Sequence, residues 1–292
     1  MKIVHYSEDG GEVQKNSPRQ GRFEFRRMAE GTVGSPDNFL FRVTNLDSGF
    51  YSPRHCHNFD QIRFILRGAT DFSKDGKLKA GMVGYFPEGT AYGPQTASDD
   101  LMVLALQFGG ASGQGYLSAD QIETAGGELK AGGTFEKGMY VTVDANGKEH
   151  RKDAYAAIWE HINGVPFRAP RRRYRQPIFM DPESFAWRPS GEPNVEARHL
   201  GSFSECETQL DQFRLAAGAS LRLQPHSLYF ILSGAGTAGG EACARFSTMQ
   251  LDFDEHAELH ATEATLVLRI GLPDLRAFAP PVETRELVLA GR

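Results

Sequence analysis

The stretch from Gly49 to Gly68 reads GFYSPRHCHNFDQIRFILRG and contains two histidines separated by one residue. In a β-strand, side chains alternate between two faces, so His55, His57 and Gln61 are predicted to share one face. Imidazole nitrogens bind transition metal ions, and an amide oxygen can supply a further, harder ligand. The spacing therefore predicts a site at which these three side chains hold one metal ion.

Arg63 follows Gln61 by two positions and is predicted to point the same way. A guanidinium group inside an apolar barrel needs either an acidic partner or an anionic ligand. Two interpretations remain open: Arg63 faces a small, carboxylate-bearing molecule, or it pairs with an acid such as Glu88 or Asp71 at the mouth of the barrel.

The regions around this stretch consist of short apolar runs interrupted by turn-forming residues. FLFRV, QIRFIL, GMVGYF and LMVLALQF come first, and QLDQFRL, LYFIL, QLDF and TLVLRI follow after Ser202. Runs of this length with 32 glycines and 15 prolines are typical of an all-β protein. The pattern F-I-L-x-G occurs at 64–68 and again at 230–234, which indicates an internal duplication.

Two segments of the first half resemble the signatures of the cupin superfamily. Gly49–Gly68 is similar to the first signature, and Gly81–Thr96 (GMVGYFPEGTAYGPQT) is similar to the second, with Gly81, Pro87 and Gly89 in register. The resemblance implies an all-β bicupin: two tandem antiparallel jelly-roll barrels with a short helix in the connector. It also implies a homodimer, because cupin barrels commonly pair through their sheets.

The chain departs from the cupin pattern at two of the metal-binding positions. Gln61 stands where the first signature usually has glutamate, although HCHNFDQ resembles a variant found in small cupins that act on unsaturated uronate sugars and hold a metal. Tyr92 stands where the second signature has a histidine. Tyr92 is interpreted in three ways: a phenolate ligand, a group that donates or accepts a proton, or a side chain that only fills the barrel.

The sequence and the resemblance together predict an N-terminal barrel with the metal site over 1–150, a connector with a short helix and an arginine- and proline-rich segment over 151–190, and a degenerate C-terminal barrel over 191–292. The sequence DAYAAIWEH from Asp153 to His161 predicts the connector helix.

The second copy of the motif has lost its ligand pattern. Gln224 replaces the first histidine, His226 is closer to the following glycine than His57 is, and no proline–glycine frame surrounds His256 or His260. This copy is therefore predicted to be a structural barrel.

Composition excludes several classes of protein. The net charge of −5 does not favour nucleic acid or an anionic membrane, and no apolar run approaches the ~18 residues of a membrane span. The N-terminal MKIVHYSEDGGEV lacks the apolar stretch of a secretory signal, so a cytoplasmic location is expected. Cys56, Cys206 and Cys243 show no C-x-x-C spacing, which argues against a disulfide framework or a four-thiolate zinc site.

The functional expectation combines the residues with the resemblance. His55, His57 and Gln61 would hold a divalent transition metal ion (Fe, Ni, Mn or Zn), Arg63 would orient the acid group of a small organic substrate, and Tyr92 would transfer a proton. Dioxygenase chemistry is favoured, because it is the commoner activity among two-barrel cupins. The alternatives are an isomerase or lyase acting on a sugar acid, and a non-catalytic small-molecule binder in which Tyr92 marks the loss of a metal ligand.

Overall fold

The computed structural model describes residues 1–13, 19–35, 37–203 and 207–275, so Cys206 lies outside the described residues. These residues form two compact units. The unit called here the first barrel contains Gly11–Phe179 together with Leu275. The unit called here the second barrel contains Met1–Gly10 and Met180–Asp274. The first ten residues of the chain therefore belong to the second barrel.

The strands of the described residues, in chain order, are β1 (Lys2–Val4), β2 (Glu12–Val13), β3 (Phe23–Glu30), β4 (Phe39–Leu46), β5 (Tyr51–Ser52), β6 (Phe59–Arg67), β7 (Ala69–Asp71), β8 (Lys77–Lys79), β9 (Val83–Phe86), β10 (Gln95–Ala97), β11 (Leu101–Gly109), β12 (Thr134–Glu136), β13 (Met139–Val143), β14 (Glu149–Asp153), β15 (Ile178–Met180), β16 (Arg188–Pro189), β17 (Val195–Phe203), β18 (Thr208–Leu215), β19 (Ser220–Leu223), β20 (Ser227–Ser233), β21 (Gly236–Ala238), β22 (Glu241–Cys243), β23 (Thr248–Leu251), β24 (Ala257–Ala261) and β25 (Thr265–Gly271). The α-helices of this part of the chain are α1 (Ala119–Leu129) and α2 (Ala154–Asn163), and single turns of 3₁₀ helix cover Ser73–Asp75 and Pro182–Ser184.

Two antiparallel sheets form the walls of the first barrel, and a separate three-stranded sheet of order β12-β13-β14 belongs to the same unit. The larger sheet has the strand order β15-β9-β6-β11-β4-β3-β2, and the smaller has the order β5-β10-β7-β8. Strand β6 lies near the middle of the larger sheet, between β9 and β11. This central position brings the residues of β6 into the interior of the barrel.

The second barrel repeats this arrangement strand for strand. Its sheets have the orders β1-β23-β20-β25-β18-β17-β16 and β19-β24-β21-β22, so β20 occupies the place of β6. Gly68 and Gly234, which end the repeated F-I-L-x-G pattern, have φ angles of 74° and 88°. A Cβ atom would lie 2.6 Å from Ser98 Oγ at Gly68 and 2.5 Å from the Ala264 carbonyl oxygen at Gly234. Both positions therefore require glycine, which explains the repeat.

Hydrophobic side chains, among them Leu223, Tyr229 and Met249, fill the interior of the second barrel. His226 stacks on Phe253 with ring centroids 3.7 Å apart, and its Nε2 lies 3.0 Å from the carbonyl oxygen of Pro273. These contacts occupy the histidine of the second motif copy.

The helix predicted from Asp153 to His161 is present as α2. The Asp153 carboxylate caps its first turn by accepting a hydrogen bond from the Ala156 amide, and Gly164 ends it in the left-handed conformation. A second helix, α1, was not predicted, because its two glycines weaken the helical pattern. The capping box formed by Ser118 and Gln121 was the signal that could have revealed it. Among the described residues, neither helix has the length and apolar character that crossing a membrane demands.

Candidate ligand-binding site in the first barrel

A cavity of about 110 Å³ lies inside the first barrel. Its polar lining comes from separate elements: Arg42 on β4, Gln61 and Arg63 on β6, Gln107 on β11, and the pair His55 and His57 just before β6. Tyr155 on α2 also lines it, so the helix of the predicted connector forms part of the wall.

The two histidines lie in extended chain that precedes β6 and not within a regular strand, contrary to the prediction. Strand β6 begins at Phe59, and His55 forms an isolated bridge with Tyr92 through hydrogen bonds of 3.2 and 3.0 Å between their backbones. Even so, both imidazoles are buried, with ring centroids 4.7 Å apart at an interplanar angle of 82°. The prediction from sequence that the two rings share one site is therefore correct, whereas the predicted strand conformation at these residues is wrong.

The hydrogen bonds of His55 determine which of its nitrogens carries the proton. Its Nδ1 lies 2.6 Å from the carbonyl oxygen of Pro53 and 3.1 Å from Ser52 Oγ. A carbonyl oxygen can only accept, so Nδ1 donates its hydrogen to Pro53. In the neutral ring the lone pair is then on Nε2.

Gln61 is held in one orientation by four hydrogen bonds. Its Oε1 accepts from Arg63 at 2.9 Å and from Gln107 Nε2 at 3.0 Å. Its Nε2 donates to His57 Nδ1 at 2.8 Å and to the Tyr92 hydroxyl at 3.1 Å. Because a guanidinium group has no acceptor, Arg63 requires the amide oxygen on its own side. The amide nitrogen, and not the predicted oxygen ligand, therefore faces His57.

A second arginine supports this orientation through Gln107. Arg42 donates to Gln107 Oε1 at 3.0 Å, and the hydroxyl of Tyr116 donates to the same oxygen at 3.1 Å. Since Arg42 also lacks an acceptor, Gln107 must present its amide nitrogen to Gln61. Two arginines thus set the polarity of the whole network.

Arg42 is about nine-tenths buried and makes no ion pair with a carboxylate of the described residues. Its Nε has no hydrogen-bond partner in that part of the protein, and burial lowers the pKa of its guanidinium to about 10. The group packs over the rings of Phe23 and Phe25 at 4.7 and 5.0 Å. A mostly cationic group therefore lines the cavity with only neutral protein partners.

Arg63 also has neutral partners: Gln61, Gln95 at 3.0 Å and the hydroxyl of Tyr92 at 3.0 Å. The acids considered as partners from the sequence are engaged elsewhere, since Glu88 pairs with Arg173 and Asp71 with Lys77. The interpretation in which Arg63 pairs with one of these acids is wrong for the described structure.

The histidines are neutral at pH 7. The pKa of each lies well below 6.5, mainly because burial disfavours the charged ring. The positive charges of Arg19 and Arg63 lower the pKa of both rings further, and for His57 the neighbouring His55 contributes as well.

Tyr92 lies behind the polar network, with its ring packed 4.7 Å from that of Phe86. Its hydroxyl accepts hydrogen bonds from Gln61 and Arg63, and it lies 3.3 Å from His57 Nδ1. Gln61 and Arg63 therefore use both acceptor sites of the hydroxyl, and its own hydrogen faces His57 Nδ1, which Gln61 already engages.

The predicted metal ligands do not fit an ion as they are oriented. Gln61 turns its oxygen towards Arg63, and His57 Nδ1 accepts the amide hydrogen of Gln61. Of these three side chains, only the His55 Nε2 lone pair remains available to an ion, and the adjacent Arg63 guanidinium repels cations. Within the described residues, no group of three or more His, Cys, Asp or Glu side chains is placed to hold a metal. A metal would require Gln61 to rotate.

Several residues of the site were missed from the sequence. Arg42 and Gln107 lie on strands distant in sequence from the histidines, and Tyr155 contacts the His57 ring edge-on with centroids 5.2 Å apart. The hydroxyl of Tyr155 donates to Asn58 Oδ1 at 2.8 Å. A charged residue within the apolar run FLFRV was the signal that could have revealed Arg42.

On the opposite face of β6, one residue of the arginine-rich segment, Arg173, contacts two buried acids, Asp60 and Glu88. Arg173 donates to Glu88 at 2.7 Å and lies 3.7 Å from Asp60. Burial raises the pKa of Asp60 to about 6. Arg168, Arg171, Arg172 and Arg175 are exposed, in contrast to Arg173. We call residues 166–175 the strap; within the first barrel, Arg173 fastens it to Glu88.

Together, the seven-stranded and four-stranded sheets of each unit define a two-domain protein of the cupin type of fold. No protein-family model and no curated protein matches the chain, whereas solved structures do. A proposed dioxygenase from Nostoc punctiforme PCC 73102 matches with a TM-score of 0.58 and 9% identity, over 94% of this chain and 84% of that one. Bacillus subtilis oxalate decarboxylase, which has Mn(II) centres, matches with a TM-score of 0.55 and 13% identity, over 93% and 77%. At these identities the likeness shows the fold alone.

Proposed function

We propose that the first barrel binds a small organic anion, and that recognition of this carboxylate-bearing molecule is the basis of its function. The observation that carries the proposal is the presence of the buried Arg42 and the partly buried Arg63 in one cavity with neutral protein partners. Two guanidinium groups without a counter-charge are costly in a protein interior. A bound carboxylate would supply that charge and could accept paired hydrogen bonds.

The rest of the cavity suits a ligand with a small organic body. Phe59, Tyr116 and Tyr155 line it with aromatic surface, and the two neutral imidazoles add no charge that would offset the arginines. Arg19, which also lines the cavity, lies 3.2 Å from the carboxylate of Asp153. The uncompensated positive charge therefore comes from Arg42 and Arg63, and it selects for an anion.

We expect the Arg42→Met variant to bind small carboxylates at least about tenfold more weakly than the wild type, because it loses a charge-assisted contact in a desolvated cavity. The measurement is isothermal titration calorimetry with lactate, propionate, succinate and a uronic acid. The melting temperature of the variant should stay the same or rise, since the substitution removes an unpaired buried charge.

Arg67→Met is the matched control, because Arg67 is exposed at the end of β6. Its affinities should equal those of the wild type. Equal affinities for Arg42→Met and wild type would contradict the proposal.

A metal-dependent enzyme, most simply a dioxygenase, is the second candidate. The observation in its favour is that two neutral imidazoles with ring centroids 4.7 Å apart line the cavity. The proposed dioxygenase and the Mn(II) decarboxylase, which have a similar fold, also favour a metal-dependent enzyme. Isomerase or lyase chemistry on a sugar acid is the alternative within this candidate. Each of these activities requires Gln61 to turn its oxygen towards the histidines.

Elemental analysis of the protein purified without a polyhistidine tag tests the second candidate. If the protein is a metal-dependent enzyme, the wild type should contain close to one equivalent of a transition metal per chain, and both His55→Ala and His57→Ala should lose it. His161→Ala, at an exposed histidine of α2, is the control and should keep the metal. Metal-free wild type after growth with added Fe, Mn, Ni and Zn would argue against this candidate.

A further inference from the structure

The two histidines of the cavity present different groups, although they are the same residue type. His55 donates through Nδ1 to Pro53, which leaves a lone pair on Nε2. His57 accepts at Nδ1 from the amide of Gln61, which places its hydrogen on Nε2. Among the hydrogen bonds of the described residues, neither Nε2 has a partner.

We propose that Gln61 is a positioning residue that holds His55 and His57 in opposite tautomers, so that the cavity selects a small hydroxy carboxylic acid. His55 would accept a hydrogen bond from the ligand hydroxyl, and His57 would donate one to it. The carboxylate would face Arg42 and Arg63. The choice of ligand class rests on the proposed function, whereas the tautomers do not depend on it.

This arrangement results from a series of hydrogen bonds that begins at the two arginines. Arg42 orients Gln107, Gln107 and Arg63 orient Gln61, and Gln61 orients His57. Rotating the Gln61 amide would bring its NH₂ group against two donors, and one of these is a permanent cation. The tautomer of His57 is thus determined by side chains on β4, β6 and β11.

A further polar group in the cavity supports a ligand with a hydroxyl. Thr44 on β4 lines the cavity, is only 3% exposed, and its Oγ1 has no hydrogen-bond partner among the described residues. Buried hydroxyl groups are normally hydrogen-bonded. The cavity therefore contains an unpartnered hydroxyl, an imidazole acceptor and an imidazole donor close to its arginines, and a simple carboxylate would not satisfy all of them.

The tautomers can be measured on the full-length wild type by long-range ¹H–¹⁵N NMR of ¹⁵N-histidine-labelled protein at pH 7.5 with EDTA. His55→Gln and His57→Gln variants assign the two rings among the nine histidines. We expect His55 protonated on Nδ1 and His57 on Nε2. Gln61→Glu should move the His57 hydrogen to Nδ1, whereas Gln95→Glu in the same cavity should not. Protonation of His57 on Nδ1 in the wild type would overturn the proposal.

The ligand class is tested by titrating the same protein with lactate, propionate and lactamide, which differ in the hydroxyl and in the charge. We expect lactate to bind at least about tenfold more tightly than propionate, because loss of the hydroxyl leaves buried polar groups unpaired. Lactamide should not bind measurably. Equal affinities for lactate and propionate would overturn the ligand class. Binding of lactamide as tight as that of lactate would instead contradict the proposed anion-binding function.

Discussion

Replacing Gln61 by glutamate together with Arg63 by methionine is expected to raise the affinity of the first barrel for Mn²⁺ or Zn²⁺ at least about a hundredfold. The introduced carboxylate would be an acceptor only, so His57 would donate from Nδ1 and leave its Nε2 lone pair free. The second substitution removes a guanidinium group that now binds Gln61 at 2.9 Å. The cavity would then present two imidazole lone pairs and a carboxylate, which suits transition metal ions.

Calorimetric titration with Mn²⁺ and Zn²⁺ measures this change against the wild type. The matched control is Gln95→Glu with Arg63→Met, which gives the cavity the same charge at a position whose side chain bonds to Arg63 and Thr70. An equal gain in the control would mean that charge alone attracts the ion. The explanation through the tautomer of His57 would then be wrong.

Glu88→Ala is expected to lower the free energy of unfolding of the first barrel by about 3 kcal/mol, because Arg173 loses its carboxylate partner at 2.7 Å and keeps the more distant carboxylate of Asp60 at 3.7 Å. Glu88 is 1% exposed and accepts hydrogen bonds from Arg173, from the Ser112 amide and from the Ser112 hydroxyl. The strap should also become sensitive to proteases, since Arg173 fastens it there. Urea denaturation and limited proteolysis with trypsin measure the two effects.

Glu149→Ala is the control for this prediction. Glu149 pairs with Arg151 at 2.6 Å, but both side chains are about half exposed. Such surface pairs contribute little, so the variant should unfold within about 0.5 kcal/mol of the wild type. If Glu88→Ala were as stable as Glu149→Ala, the strap would be held by contacts other than the Glu88–Arg173 pair.

Much of the fold could be predicted from local patterns. Short apolar runs broken by glycine and proline predict strands. The F-I-L-x-G repeat predicts the duplication, because a Cβ atom at its glycine would clash with a neighbouring segment in both barrels. Helix α2 was predictable from its cap and periodicity. In contrast, α1 contains a pair of glycines that weaken the helical pattern. In the folded barrel, α1 packs against the aromatic cluster of Phe59, Tyr116 and Tyr155.

The site was predictable only in part. The alternation of side chains correctly placed Gln61 and Arg63 at the cavity, and the spacing of His55 and His57 placed both imidazoles beside them. The metal-ligand roles of these residues stay predictions, as do the proton-transfer role of Tyr92 and the homodimer. Arg42 could not be paired with Gln61 from sequence, because the strands that carry them meet only through β11.

By itself, the sequence indicated that Gln61, Arg63 and the two histidines enter the first barrel, because strand periodicity is a local property. Only the tertiary structure decided what those side chains offer to a ligand. The direction of an amide and the tautomer of an imidazole depend on donors from other strands, and here Arg42 and Arg63 impose them on Gln61 and His57. The same residues in another hydrogen-bonding environment would present lone pairs to a metal.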